Sequence, residues 1–169
     1  MLSSQLLPMK TNSFFDYSDF LEKKEIKTTI ENILLHYDIP KDTVIRCVKA
    51  AYLYGKRYDI KPLVILAIGL RESRLNSLAV SITGAIGIGQ MTIAAAKHSN
   101  IDRKRLIEIE CSIYSISKRI SDSKAKTILY QVAMYGSFRR AKLSTKKVAN
   151  SWYYLEFLKH YFRLKKHNK

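Results

Sequence analysis

The sequence is short of acidic residues, and this shortage limits the kinds of partner that suit it. Fourteen Asp and Glu stand against thirty Lys and Arg in 169 residues, which gives a formal net charge of +16. A field of that strength favours a polyanionic partner, such as nucleic acid, anionic lipid or an acidic cell-wall polymer. A solubilising surface explains the same charge equally well. The net charge alone therefore does not identify the partner.

Long apolar runs, a recognisable leader and a cysteine framework are also missing. The longest apolar run, residues 62–70, is far too short to cross a bilayer. The first ten residues lack the basic and apolar regions of an ordinary secretory signal. Cys47 and Cys111 have no metal-ligand spacing and lie among apolar residues, which favours buried free thiols. We expect no membrane span, no metal and no organic cofactor.

Helical periodicity dominates the rest of the chain and predicts an all-α fold, with at most a small hairpin near residues 77–88. We divide the chain into a partly flexible N-terminal segment (1–22), one helical domain (23–162) and a basic C-terminal tail (163–169). One helix is predicted to start at Pro40, and another to run from Pro62 to about Ser73.

Three later helices are predicted from apolar stripes. The first is capped by Asp102, the second opens at Ser123, and the third follows Ser144 or Thr145. Their stripes are, in order, Leu106, Ile109, Ile113, Ile116 and Ile120; Ile128, Val132 and Ala133; Val148, Trp152, Leu155, Leu158 and Phe162.

Glu72 is the candidate for chemistry. It ends the most apolar predicted helix, and it is the only acidic residue between Asp59 and Asp102. An uncharged, glycine-rich segment, residues 76–90, follows it, as expected of a loop held close to a ligand or another element. Desolvation beside such a loop would raise the pKa of Glu72 and keep it protonated, as a general acid requires. The alternative is a solvated surface residue between Arg71 and Arg74.

A single carboxylate suits only one class of glycoside cleavage. Ordinary glycosidases place two carboxylates across the scissile bond, whereas substrate-assisted enzymes let the sugar's 2-acetamido group take the second role. In a muramic acid polymer a ring hydroxyl can then attack, which gives an anhydro product without water.

The residues around Glu72 resemble the signature of lytic transglycosylases of the soluble type. That signature reads Glu-Ser-x-x-Asn, then Ala-x-Ser-x-x-Gly-Ala-x-Gly-x-x-Gln, and this chain matches its order and spacing from Glu72 to Gln90. The resemblance implies a lysozyme-like α-helical domain over residues 40 to 160. It also implies that Glu72 is the catalytic acid and base, and that Ser73, Ser81, Gln90 and Met91 shape or line the glycan site.

Two further family elements are altered here. The family's Ala-Tyr-Asn-x-Gly corresponds to residues 133–137, where either Gly136 replaces the Asn or Tyr135 itself does, so that both registers lose the amide. The family's Glu-Thr-x-x-Tyr-Val resembles residues 150–155, which makes Tyr154 the tyrosine that points toward the acid. Tyr135 and Tyr154 are therefore also expected to contact substrate.

The resemblance implies a monomeric lytic transglycosylase that cuts the β-1,4 bond between N-acetylmuramic acid and N-acetylglucosamine, in the periplasm or cell wall. Secretion, conjugation or phage machinery is the expected partner besides peptidoglycan, and nucleic acid is not expected. A hydrolytic muramidase is a rival interpretation and would need a second carboxylate, from Asp59, Asp102 or elsewhere. A basic nucleic-acid-binding module and a non-catalytic wall-binding relative are rival interpretations from a different functional class.

Overall fold

The structure, a computed structural model, describes residues 23–136 and 145–166. Within these ranges the chain forms eight α-helices and one 3-10 helix, with no strand. The elements are α1 (Lys24–His36), α2 (Lys41–Tyr58), α3 (Pro62–Ser73), α4 (Ile93–His98), η1 (Arg103–Ile107), α5 (Ile109–Asp122), α6 (Ile128–Tyr135), α7 (Thr145–Ala149) and α8 (Trp152–Lys165). The predicted all-α class is confirmed, while the predicted N-terminal segment, residues 1–22, lies outside the described part.

Helix α3 is the centre of the core and carries Glu72 at its end. Pro62 occupies its first turn, where the missing N–H costs nothing, and every residue from Leu63 to Leu70 is buried. Helices α2, α5 and α8 pack around it. The helix ends because Arg74 and Leu75 adopt left-handed conformations, with φ of 54° and 60°, and their N–H groups return to the carbonyls of the last turn. The predicted limits of this helix are confirmed.

The segment after α3 is a compact loop rather than a hairpin of strands. Two isolated bridges pair Val80 with Ile86 and Ile86 with Met91, and backbone hydrogen bonds within the loop close its turns. The loop returns to the end of α3 at Ile88, whose carbonyl accepts a hydrogen bond from Ser73, whereas Leu78, Val80 and Ile82 are exposed.

The predicted start of two later helices was wrong. Asp102 caps η1, where its side chain accepts from Lys104 N at 3.0 Å, and α5 begins separately at Ile109. Ser123 ends α5, whereas Thr127 caps α6 by accepting from the backbone N–H of Tyr130. The same residue types, Ser, Thr, Asn and Asp, favour both helix starts and turns. The sequence pattern alone therefore did not distinguish a cap from a turn at these positions.

The last predicted helix is two helices, and three of the five residues in its predicted apolar stripe do not face the core. Val148 is buried and Leu158 packs against the core, as predicted. Ser144 lies outside the described residues, and Ser151 caps the start of α8. Trp152, Leu155 and Phe162 are exposed. The side chains of α8 that face the core are Phe157, Tyr161 and Leu164.

Helix α8 also continues beyond the predicted start of the basic tail at residue 163. It ends at Lys165, and its last turn belongs to the core: Leu164 is fully buried, and its carbonyl accepts a hydrogen bond from Asn32 Nδ2 at 3.2 Å. Arg163 and Lys165 are therefore helical, and Lys169 lies outside the described residues.

Both cysteines lie in the protein interior. Cys47 and Cys111 are both buried and unpaired, as predicted. Burial raises the pKa of the Cys47 thiol to about 12 and that of Cys111 to about 11. Among residues 23–136 and 145–166, none of the helices combines the length and apolar character needed to cross a membrane.

Candidate active site

Glu72 lies in the last turn of α3 with its carboxyl group turned away from solvent. Its side chain is 14% exposed. One carboxylate oxygen, Oε1, accepts a hydrogen bond from the hydroxyl of Tyr153 on α8. The other, Oε2, lies 3.3 Å from Nη1 of Arg71. The hypothesis of a solvated surface residue is therefore excluded for Glu72, because the group is covered and bonded on both oxygens.

Opposing influences act on the pKa of Glu72, and burial is the stronger. Desolvation raises the pKa, whereas the hydrogen bond from Tyr153 and the positive charges of Arg71 and Arg119 lower it; the net shift is upward from the usual 4.5. A carboxyl group with a raised pKa retains its proton at a higher pH than an ordinary glutamate. This is the property that a general acid needs.

The tyrosine that reaches the acid is Tyr153, so the prediction that Tyr154 does so was wrong. Tyr154 stacks on Phe157, with ring centroids 5.8 Å apart, on another face of α8. Residues one apart on a helix point about 100° away from each other, so that a register error of one residue exchanges the two roles. Burial and the neighbouring Glu72 raise the pKa of Tyr153 well above 10, which keeps its hydroxyl protonated as a donor.

Gly136, within the altered family element, provides the space that Tyr153 occupies. Gly136 ends α6 directly against the Tyr153 ring, and a Cβ added there would lie only 2.8 Å from ring atom Cε1. A larger residue would displace the ring and its hydroxyl from Glu72. In the segment where the family has its asparagine, Gly136 therefore leaves space for the Tyr153 ring. Ser137 lies outside the described residues.

Tyr135 holds the loop and does not present its phenol to a ligand. It is 4% exposed, and its hydroxyl donates to the carbonyl of Gly89. The Arg119 guanidinium lies 5.0 Å from the centre of its ring. Burial raises the pKa of Tyr135 above its usual 10. The expected substrate contact of Tyr135 is thus corrected to a contact that fixes the loop.

Ser73, Ser81 and Gln90 also bond to the backbone of the loop. Ser73 Oγ donates to the Ile88 carbonyl at 3.0 Å, and Ser81 Oγ accepts from Ala85 N at 3.0 Å. Gln90 Nε2 donates to the carbonyls of Ala79 and Gly87, at 3.2 and 3.0 Å. All three side chains therefore maintain the shape of the loop after α3, Ser73 from the end of the helix and Ser81 and Gln90 from within the loop.

Met91 is fully buried and packs with Ala96 and Leu106 in a small core of its own. It was predicted to be a wall of the glycan site, but it has no surface left for a ligand. Its role is to anchor the end of the loop.

Besides Tyr153, two further residues that were not predicted to belong to the site complete the arrangement. Ser112 on α5 is fully buried; its hydroxyl accepts from Ile88 N and donates to Leu106 O, both at 2.9 Å. Arg71 places its guanidinium 3.8 Å from the centre of the Tyr153 ring and 5.3 Å from that of Trp152. A serine in an apolar stripe and an arginine beside a glutamate give no local signal of these long-range contacts.

Within the described residues we find neither a cluster of metal ligands nor a second carboxylate bonded to Glu72. No group of three or more His, Cys, Asp or Glu in residues 23–136 and 145–166 could hold a metal ion. The groups bonded to Glu72 are a phenol and a guanidinium. Asp102 is engaged as the cap of η1, and Asp59 ends α2 in a left-handed conformation.

Comparison with known families agrees with the resemblance. Residues 49–115 match the family model described as Transglycosylase SLT domain. The match includes Glu72, the whole loop and Ser112, and it ends before Tyr135 and Tyr153. No curated protein matches the chain. The recognition of a soluble-transglycosylase type of domain with a lysozyme-like helical fold is thus confirmed.

Proposed function

We propose that this chain, which carries a transglycosylase SLT domain, is a peptidoglycan lytic transglycosylase acting through Glu72. The observation that supports the proposal is the burial of this one carboxyl group at the end of α3, with its pKa raised and a tyrosine donating to it. The family match supports peptidoglycan as the substrate.

In the first step Glu72 donates its proton to the oxygen that links N-acetylmuramic acid to N-acetylglucosamine. The bond between C1 and this oxygen breaks, and the 2-acetamido group stabilises the positive charge that develops at C1. Glu72 is then a carboxylate, and the donors Tyr153 and Arg71 stabilise its charge.

In the second step the Glu72 carboxylate takes the proton of the muramoyl 6-hydroxyl, whose oxygen attacks C1. A C1–O6 bond forms, Glu72 regains its proton, and the product ends in a 1,6-anhydromuramoyl group. No water is consumed, and no group outside the chain and the sugar is required.

The test is the chemistry of the new ends. Purified peptidoglycan is incubated with the protein and the released fragments are weighed by mass spectrometry. Anhydromuramoyl ends, lighter than reducing ends by one water, are the expected result. Reducing ends would instead establish a hydrolytic muramidase, and fragments absent from a folded sample would favour a wall-binding or nucleic-acid-binding protein.

This function implies a location at the periplasm or cell wall, where the substrate lies. Local opening of the wall for secretion, conjugation or phage machinery is the role we propose for a small domain of this kind. Co-purification of such machinery with the tagged protein tests that role.

A further inference from the structure

Arg71 has more hydrogen-bonding capacity than its surroundings use. A guanidinium carries five N–H donors. Within residues 23–136 and 145–166 its one ion pair is with Glu72, at 3.3 Å, and its Nε, which is buried, has no acceptor. Buried donors are almost always bonded in folded proteins, so an unsatisfied one in a site requires an explanation.

An exposed aromatic surface lies directly beside this cation. Trp152, the first residue of α8, is 70% exposed, and the centre of its ring is 5.3 Å from the Arg71 guanidinium carbon. The Tyr153 ring lies closer still, with its centre 3.8 Å from the guanidinium carbon. The guanidinium is therefore held in one place, next to both the indole and the acid.

We infer that Trp152 and Arg71 form a binding subsite for a muramoyl residue with a free lactyl carboxylate, a substrate preference that rests on the function proposed above. The indole packs against the apolar face of the sugar ring, and the guanidinium pairs with the carboxylate. Arginine suits this role because its planar fork matches the two carboxylate oxygens, and a rigid, partly desolvated fork discriminates better than a mobile lysine.

Binding of this carboxylate has a consequence for catalysis. Arg71 lowers the pKa of Glu72, so a substrate that engages Arg71 removes part of this influence and adds a negative charge nearby. Both changes favour the protonated form of Glu72. The substrate thus helps to protonate the acid that cleaves it.

The preference also defines an order of reactions. The lactyl carboxylate is free only in strands that have lost their stem peptides, because the peptide is joined to it through an amide. An amide-hydrolysing enzyme that removes stem peptides must therefore supply the preferred substrate of this protein.

The test uses tryptophan emission in the Glu72→Gln chain, where turnover is prevented. Trp152 is the only tryptophan of the protein, so emission reports this subsite alone. The chain is titrated with a peptide-free tetrasaccharide of alternating N-acetylglucosamine and N-acetylmuramic acid, and with chitotetraose, which has the same length and no carboxylate. We expect a change in emission and at least tenfold tighter binding of the muramoyl tetrasaccharide.

Arg71→Met in the same background should abolish this preference, so that the muramoyl tetrasaccharide binds no more tightly than chitotetraose. Arg57→Met is the matched control, because Arg57 also stacks on a tyrosine, Tyr58, at 5.6 Å, but on α2. If Arg71→Met fails to fold, the muramoyl tetrasaccharide with its carboxyl groups amidated gives the same comparison with Arg71 in place. Equal binding of the two sugars, an unchanged emission, or a preference that survives Arg71→Met contradicts the subsite.

Failure of the subsite and failure of the proposed function give different results. A parent protein that releases anhydromuramoyl ends equally fast from peptide-bearing and peptide-free strands overturns the subsite and leaves the function in place. A Glu72→Gln chain that prefers the muramoyl tetrasaccharide, with a parent protein that releases no product, overturns the function and leaves the subsite in place.

Discussion

Glu72 has the environment of a reactive group at the scale of single residues. Burial penalises its charged form, and two donors, Tyr153 and Arg71, offset part of that penalty. The result is a carboxyl group that can both release and regain a proton. A fully buried acid without donors would hold its proton too tightly to act in the first step, and a solvated one would lose it too early.

Replacing Tyr153 by Phe should shift the pH dependence of activity. The Tyr153 hydroxyl lowers the pKa of Glu72, so its removal raises that pKa further. Since the first step needs protonated Glu72, the alkaline limb of kcat/KM should move to higher pH. The measurement is the pH profile of kcat/KM for the parent and for Tyr153→Phe. A limb that stays in place or moves to lower pH would contradict the role assigned to this hydrogen bond.

Replacing Glu72 by Gln should increase the stability of the fold above the usual pKa of a glutamate. The folded-state pKa is raised, so the contribution of Glu72 to stability is fully present below its unfolded pKa and is lost as pH rises through the folded value. Glutamine has no charged form and avoids this loss. Urea unfolding at about pH 4 and about pH 8 tests the sign: the advantage of Glu72→Gln should be larger at the higher pH. An advantage that shrinks as pH rises would contradict the burial of this charge.

At the scale of elements, the loop between α3 and α4 is fixed by contacts from three helices. Ser73 on α3, Ser112 on α5 and Tyr135 on α6 each bond to its backbone at Ile88 or Gly89. Gly87, with φ of 77°, lies so close to η1 and α5 that an added Cβ would be 2.5 Å from Ser112 Oγ. The loop is therefore attached to three helices beside the acid.

Ser112→Ala should destabilise the protein by about 2 kcal/mol, because the buried N–H of Ile88 would lose its acceptor. Ser117→Ala is the matched control. Ser117 is equally buried on the same helix, but its hydroxyl only donates to the Ile113 carbonyl one turn earlier. Removal of the Ser117 hydroxyl leaves no N–H group without an acceptor. It should change the free energy of unfolding by less than about 0.5 kcal/mol. The free energies of unfolding of the two variants in urea decide the matter, and equal losses would contradict the bridging role of Ser112.

Local signals predicted the element that carries Glu72, and distant packing determined the elements that surround it. Pro62 and an unbroken apolar run define α3 within one stretch of sequence, as do Glu72 and its loop motif. Helix α8 differs. Two features decide that Tyr153 and not Tyr154 faces the acid: the helix cap at Ser151, and the space left by Gly136 at the end of α6. Met91 and Ser112 show the same limit, since burial by a distant helix leaves no mark in the sequence nearby.

At the scale of the whole molecule, the charge of +16 acts at long range while Arg71 acts at short range. Exposed charges attract an acidic wall polymer only within about 10 Å at 0.1 M salt and about 3 Å at 1 M. The ion pair between Arg71 and Glu72 is partly buried, so dissolved salt screens it less.

Binding to purified sacculi that carry anionic polymer should therefore weaken strongly with salt. Sedimentation of the Glu72→Gln chain with sacculi at low and at high sodium chloride measures this loss. Chitin, which is uncharged, provides the control, and its binding should change little. Sacculus binding that is independent of salt would show that the charge serves solubility alone. Salt-sensitive binding to DNA that exceeds binding to sacculi would favour a nucleic-acid-binding function.

The most direct test of the central claim is the rate at which Glu72→Gln cleaves purified, peptide-free glycan strands. Glu31→Gln provides the matched control, since Glu31 is an exposed glutamate on α1. General acid catalysis contributes about 10²–10⁴ in rate. We therefore expect Glu72→Gln to lose at least a hundredfold while it still folds, and Glu31→Gln to match the parent. A folded Glu72→Gln chain that cleaves at the parent rate would contradict the assignment of Glu72 as the acid.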